Sequence, residues 1–321
     1  MRAQPKRPQA SENIVNNSSP GRSAISIGLI VVCLIWGSTW LAVKVGVTTV
    51  PPLLAASLRF FISSAILMLM LVLQDDRLPR DKQFWKLCLI VSFNNFSVPY
   101  SLIYLGQKNV PTGLSSILFA TYPFWVALFS HLRLPGERVT FAKGVGMSVG
   151  FLGIVMIFSN QINLTGKYPV VGMLAIVVSA LLQAFTLVTI KKHGKPYSPV
   201  ALSLVAMFFG AVTLLAASLS IEDVRNAYFG TYSISSILYL ATFGTVVTFV
   251  TYFWLVKHVQ TVLLSLTAFV TPVIAIFMGS YMLSEDLEKE ILLGASMVLI
   301  GILSANAPGL GKFLKPKKSH R

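Results

Sequence analysis

Residues 24–47 form an apolar run, interrupted by Trp36-Gly37-Ser38-Thr39-Trp40 and closed by Lys44. A core helix of a soluble protein rarely stays apolar for so long, whereas a helix crossing roughly 30 Å of hydrocarbon needs about 20 such residues. Nine more runs of similar length follow, at 53–73, 84–106, 112–132, 141–158, 170–190, 199–219, 233–255, 261–283 and 290–307. Composition agrees. Charged residues make up 12% of the chain and mean hydropathy is +0.73, about half the charge of an ordinary soluble domain. The expectation is an all-α integral membrane protein with ten transmembrane helices. The polar, basic tail 1–23 is expected to be disordered, and the run after it is too long for a signal-peptide core, so it reads as a retained first helix.

A net charge of +15 could suggest nucleic acid, but that needs a basic face interleaved with aromatics. Here the bases lie between apolar runs and at the tails. Twenty Lys and Arg fall on one side of the expected topology, and only Lys108, Lys167, Arg225 and Lys289 on the other. The positive-inside rule then places both termini in the cytoplasm. The remaining two bases, Lys44 and Arg59, lie within spans. Cys33 and Cys88 sit inside apolar runs, and His131, His193, His258 and His320 lack metal-ligand spacing. No disulfide framework, metal or cofactor is expected.

The two halves repeat. Trp36-Gly37 and Lys44 align with Gln183-Ala184 and Lys191, and Pro52 with Pro199, all 147 residues apart. Lys108, Val110, Thr112 and Pro123 align with Lys257, Val259, Thr261 and Pro272 at 149, and Glu137, Gly146 and Gly153 with Glu285, Gly294 and Gly301 at 148. Pro, Lys and Glu are rare in apolar sequence, so a near-constant offset through five spans is not chance. Five is odd, so the second copy must insert upside down. Inverted repeats place a binding site near the midplane and permit alternating access. The organisation expected is a polar tail 1–23, repeats 24–158 and 170–308, and a basic tail 309–321.

Ile35-Trp36-Gly37-Ser38-Thr39-Trp40 with Lys44, then Pro51-Pro52 and Arg59-Phe60, resemble the opening of the EamA-type drug/metabolite transporters. Tyr122-Pro123 followed by Glu137, and Thr271-Pro272 followed by Glu285, extend the resemblance to nearly the whole chain beyond the tails. It implies a ten-helix basket around a central cavity, lined mainly by spans one, three, four, six, eight and nine, in a bacterial inner membrane. Members of this kind export amino acids and other small metabolites, and relatives carry nucleotide sugars or toxic cations.

All eleven acids lie in tails, loops or span ends. A carrier of hydrophobic cations usually needs a membrane carboxylate, so cationic drugs are disfavoured. Arg59 could bind a carboxylate or phosphate through its planar fork, or brace backbone carbonyls of a neighbouring helix. Lys44 could do the same or snorkel. Trp36 and Trp40 share a helix face, open either to substrate or to lipid. Ser38 and Thr39 are candidate cavity hydroxyls or simple helix contacts.

Span three carries Asn94, Asn95, Tyr100 and Tyr104, and at most one of the two Asn can face a ligand. Pro99 should kink that helix. Tyr122, Gln183 and Tyr252 complete the candidate substrate-binding set, and Pro123 and Pro272 are candidate gating kinks. Gly144, Gly146, Gly150 and Gly153 superficially resemble a nucleotide loop but fall along a membrane helix, where they permit close packing.

No catalytic constellation is present in the sequence, so no enzyme is expected. The reading is a secondary transporter exporting amino acids or similar zwitterionic or anionic solutes. The alternatives are a carrier of nucleotide sugars or of toxic organic cations, and a lipid scramblase. Expected partners are a small-molecule substrate and the lipid bilayer, with no nucleic acid, acting as monomer or homodimer.

Overall fold

A computed structural model describes residues 22–135, 140–160, 169–259, 264, 267–285 and 288–314. The tails, Glu137, Thr261 and most of the connection 159–169 therefore lie outside the described residues. Among the described residues ten helices follow one another: α1 (Arg22–Gly46), α2 (Pro52–Leu73), α3 (Lys82–Asn109), α4 (Thr112–Arg133), α5 (Phe141–Asn160), α6 (Pro169–His193), α7 (Pro199–Ile221), α8 (Thr231–His258), α9 (Thr267–Leu283) and α10 (Lys289–Leu314). Seven are long and apolar enough to cross a bilayer, and α5 and α9 contain the shorter apolar stretches Gly144–Ile157 and Val270–Leu283. Large side chains such as Ile27, Leu34, Leu69, Val72 and Phe277 stay exposed. In hydrocarbon that exposure costs nothing, because lipid tails are as apolar as these side chains. The chain is an integral membrane protein.

Helix starts follow local chemistry. Pro52 and Pro199 begin α2 and α7, where a missing N–H and a preset φ suit the first turn. Asp81 caps α3, its carboxylate accepting from Phe84 N at 2.9 Å. Most helices run a few residues beyond their apolar cores, which is why Lys82, His193 and His258 are helical although the runs of apolar sequence stop short of them.

Packing reveals the symmetry. Helix α1 packs on α9 and α8, as α6 packs on α4 and α3; α2 pairs with α7, and α5 with α10. Exchanging each helix for the one five places on maps this set onto itself, so the fold is two inverted five-helix repeats. The α5–α10 seam is a glycine contact. A Cβ on Gly153 would stand 2.5 Å from Gly294 O, and one on Gly301 would stand 2.5 Å from Gly146 O. Only hydrogen fits there, as the packing reading of these glycines expects.

Two carboxylates lock helices of opposite repeats. Glu222, just past α7, accepts from Leu53 N (2.9 Å) and Leu54 N (3.1 Å) at the start of α2. Glu285, just past α9, accepts from Thr112 N (2.8 Å) and Thr112 Oγ1 (2.9 Å) at the start of α4. Each places negative charge against a positive helix end and satisfies orphan N–H groups there.

Three interruptions break the regular helices. In α3 the segment Ser92–Ser97 is a π-helical turn, and in α8 so is Thr242–Val247, 150 residues on. In the first, Val98 N donates to Phe93 O, five residues back. Pro99 follows at once; its ring would crowd the carbonyl four residues earlier, and the wider turn relieves that. The kink expected at Pro99 is thus a change of register ahead of it. The third interruption is in α4, which breaks into Thr112–Phe119 and Tyr122–Arg133 with Pro123 in the first turn of the second piece. Pro272, by contrast, lies inside the continuous α9. The two prolines are equivalent in sequence but not in conformation.

Candidate functional site

The π-turn of α3 and the break in α4 border a central cavity of about 100 Å3, walled by α1, α2, α3, α4, α6, α8 and α9. From α1 come Trp36, Thr39, Trp40 and Val43, one helical stripe; from α6 come Gln183, Leu187 and Ile190, the same stripe 147 residues later. Arg59 enters from α2, Asn95, Tyr100 and Ile103 from α3, and Phe119 and Tyr122 flank the break in α4. Helix α8 adds Phe249, Tyr252 and Phe253, and α9 adds Thr267 and Thr271.

Eight of the eighteen wall residues are aromatic. The Trp36 ring centroid is 4.8 Å from Tyr252 and 5.7 Å from Phe249, and Trp40 is 5.4 Å from Phe119. Phe119 in turn stacks on Tyr122 at 5.8 Å. The hydroxyls of Tyr122 and Tyr252 meet at 3.2 Å, joining α4 to α8. Trp40 is 8% exposed, so the Trp36–Trp40 face is turned to the cavity and not to lipid.

The polar part centres on Arg59, which is 2% exposed. Its Nε donates to Thr245 Oγ1 at 2.7 Å, Nη2 to Gly244 O at 2.9 Å and Nη1 to the Tyr104 hydroxyl at 3.3 Å. The guanidinium carbon also lies 5.0 Å from the Tyr100 ring centroid and 5.5 Å from that of Phe60. Gly244 O belongs to the π-turn of α8, so Arg59 braces that irregular backbone while walling the cavity. Among the described residues none of its partners is acidic. Two further donors in the wall, Asn95 Nδ2 and Gln183 Nε2, are buried without a hydrogen-bond partner among the described residues.

Nine of the twelve candidate substrate-binding residues therefore come together: Trp36, Thr39, Trp40, Arg59, Asn95, Tyr100, Tyr122, Gln183 and Tyr252. The other three sit outside the cavity wall. Ser38 turns to α8, its hydroxyl 2.5 Å from that of Tyr239. Tyr104 is 1% exposed behind Arg59. Lys44 donates from Nζ to Gln107 O (2.7 Å) and Val110 O (3.2 Å), where a cation suits the last carbonyls of α3. Asn94 bonds back to Ile90 O at 3.1 Å, so Asn95 alone of the pair faces the cavity.

Sequence reasoning passed over Val43, Ile103, Phe119, Leu187, Ile190, Phe249, Phe253, Thr267 and Thr271 as lining residues. For Val43, Leu187 and Ile190 a signal existed: they continue the Trp36–Trp40 stripe by helical periodicity and by the repeat.

A membrane protein of inverted helical repeats enclosing a shaped, partly polar chamber has the build of a solute transporter. The chain belongs to the EamA-like transporter family, whose model matches residues 23–159 and again 170–307. Uncharacterized transporter YoaV of Bacillus subtilis strain 168 is 32% identical over 278 residues, 87% of this chain and 95% of its own. Uncharacterized inner membrane transporter YedA of Escherichia coli K12 is 28% identical over 286 residues, 89% and 90% of the two chains. Protein PagO of Salmonella typhimurium LT2 is 26% identical over 281 residues, 87% and 91%. One solved crystal structure superposes with a TM-score of 0.69 at 17% identity, covering 92% of this chain and 100% of that one; it speaks to the fold alone.

Proposed function

We propose that this transporter moves small carboxylate-bearing metabolites, zwitterionic (as amino acids are) or anionic, by alternating access and in the outward direction. The observation that carries the reading is Arg59: a buried guanidinium in the cavity wall, with only neutral oxygens and ring faces as partners among the described residues. A buried charge without a counter-ion is costly to hold, and a bound carboxylate would supply the missing charge. The same fact weighs against organic cations. Phosphorylated solutes such as nucleotide sugars are less well served, because Lys44 is engaged with backbone carbonyls outside the cavity wall. The lining residues lie within one chain, which is compatible with transport by a monomer or a homodimer.

The direction of insertion proposed is the one the basic residues favour, with both termini cytoplasmic in the inner membrane. Rocking would pivot at the interruptions: the π-turn of α3 and the break in α4 border the cavity, and the π-turn of α8 is joined to it through Arg59. The test is uptake by proteoliposomes of the purified chain, screened against labelled amino acids, organic anions and organic cations and repeated with Arg59→Ala and Trp36→Ala. Saturable flux of carboxylates, lost in Arg59→Ala, supports the reading. Flux of cations with carboxylates ignored, or lipid flipping without solute flux, refutes it.

A further inference from the structure

We propose that the cavity discriminates within this class by net charge: it takes monocarboxylates with an aromatic or bulky apolar body and rejects the zwitterion of the same shape. This rests on the carboxylate reading above and narrows it.

The argument is an inventory of unclaimed hydrogen-bonding capacity. Arg59 has five N–H groups. Three are committed, to Thr245, Gly244 and Tyr104, and the Tyr100 hydroxyl is a further partner, while the guanidinium still lines the cavity. Asn95 Nδ2 and Gln183 Nε2 are unclaimed, and Asn95 is 6% exposed. Both buried polar atoms of the wall without a partner are N–H donors; neither is an acceptor. A buried donor left unmade is destabilising. Here the donors line the same cavity as a fixed positive charge, and a carboxylate brings both the counter-charge and two acceptor oxygens.

An α-ammonium finds no comparable match. It needs acceptors, best of all anionic ones, and among the described residues no Asp or Glu lines the cavity. The acceptors present, the lone pairs of Thr39 Oγ1 and of the Tyr122–Tyr252 hydroxyl pair and the amide oxygens of Asn95 and Gln183, are neutral and bring no charge to balance an ammonium. Arg59 also repels the ammonium through a medium of low dielectric. Ring faces attract cations only modestly, and they do not distinguish an ammonium from the apolar body they would otherwise cover.

The equivalent position in the other repeat shows that the vacancy is local. Thr245 occupies in the α8 π-turn the place of Asn95 in the α3 π-turn, and its oxygen is already claimed by Arg59 Nε. One turn is closed internally by a cation; the other presents a donor.

The test uses three probes with one body: 3-phenylpropanoate (net negative), phenylalanine (the same skeleton with an added ammonium) and phenethylamine (net positive). Their binding to the full chain in nanodiscs is measured calorimetrically. The expected order places 3-phenylpropanoate tighter than phenylalanine by about tenfold or more, with phenethylamine unbound. Asn95→Asp, its fold checked by size exclusion, should weaken 3-phenylpropanoate by at least about tenfold and shrink or reverse the preference, because its carboxylate takes the ligand's place beside Arg59. Gln183→Leu should weaken both acids without changing their order.

Phenylalanine binding as tightly as 3-phenylpropanoate, or more tightly, overturns this proposal and leaves the carboxylate reading standing. Phenethylamine binding best overturns both. Binding of neither acid overturns the choice of an aromatic body.

Discussion

The π-turn of α3 and the π-turn of α8 occupy equivalent places in the two repeats, yet their surplus polar groups meet different fates. In α8, Gly244 O receives Arg59 Nη2 at 2.9 Å and Thr248 Oγ1 at 2.8 Å, and Thr245 Oγ1 receives Arg59 Nε. In α3, Ser97 Oγ donates to Ser92 O at 3.1 Å and meets Thr213 at 2.6 Å, but Asn95 Nδ2 is left without a partner at the cavity. Inverted symmetry thus builds two similar defects, and one arginine, without a counterpart in the second repeat (Ala206 stands there), makes them unlike. A symmetric scaffold for moving becomes an asymmetric site for binding.

Breaking the closed turn should have the largest effect. Arg59→Met removes three hydrogen bonds in a dry setting; Gly244 O keeps Thr248 and Thr245 keeps its bond to Leu240 O, so the loss should be about 1 kcal/mol per bond, and thermal melts in detergent should fall accordingly while carboxylate transport is lost. Arg59→Lys should keep the charge but not the fork, recovering part of the stability and little of the transport. Next comes a control remote from both turns. Gly153→Val forces a side chain against the Gly294 backbone and should cost about 1–3 kcal/mol without altering which solute is preferred.

Smaller effects sharpen the contrast itself. Thr245→Val removes an acceptor of Arg59 and a donor to Leu240 O, and should destabilise by about 1 kcal/mol. Asn95→Leu should leave stability unchanged or slightly raised, since it deletes an unsatisfied donor, while solute binding falls. If the two variants behave alike, the turns do not differ as described.

The smallest effect lies at the start of α3. Hydrogen bonds from Phe84 N and the Tyr197 hydroxyl hold the Asp81 carboxyl below its ordinary 3.8. A depressed carboxylate stabilises above its unfolded value and loses that contribution as pH falls through the folded one. Acid unfolding of Asp81→Asn should therefore lack the part of the wild-type pH dependence that lies below about pH 4.

The architecture was legible because rare residues mark it: Pro52 and Pro199, or Lys108 and Lys257, stand out of apolar sequence at a constant offset. The cavity was legible where side-chain type and helical spacing agreed, as for Trp36 and Trp40. Lys44 drew attention by its charge, but Val43, one residue earlier, is the one on the cavity stripe. Both readings of Arg59 hold part of the geometry, since a guanidinium has donors enough to brace Gly244 O and still wall a chamber. The π-turns left no comparable trace. Pro99 follows the first at once, and the second meets Arg59, 185 positions away in the chain, through Gly244 O. Pro123 and Pro272 show the converse: identical residues at equivalent sites, one beside a helix break and one inside the helix Thr267–Leu283.

The most direct test is a structure of the reconstituted chain with an aromatic monocarboxylate bound. The carboxylate oxygens are expected within hydrogen-bond reach, about 3 Å, of Arg59 Nη and Asn95 Nδ2, with the ring against Trp36 and Tyr252. A solute lying with its charged end away from Arg59, or bound outside the chamber altogether, would contradict the account.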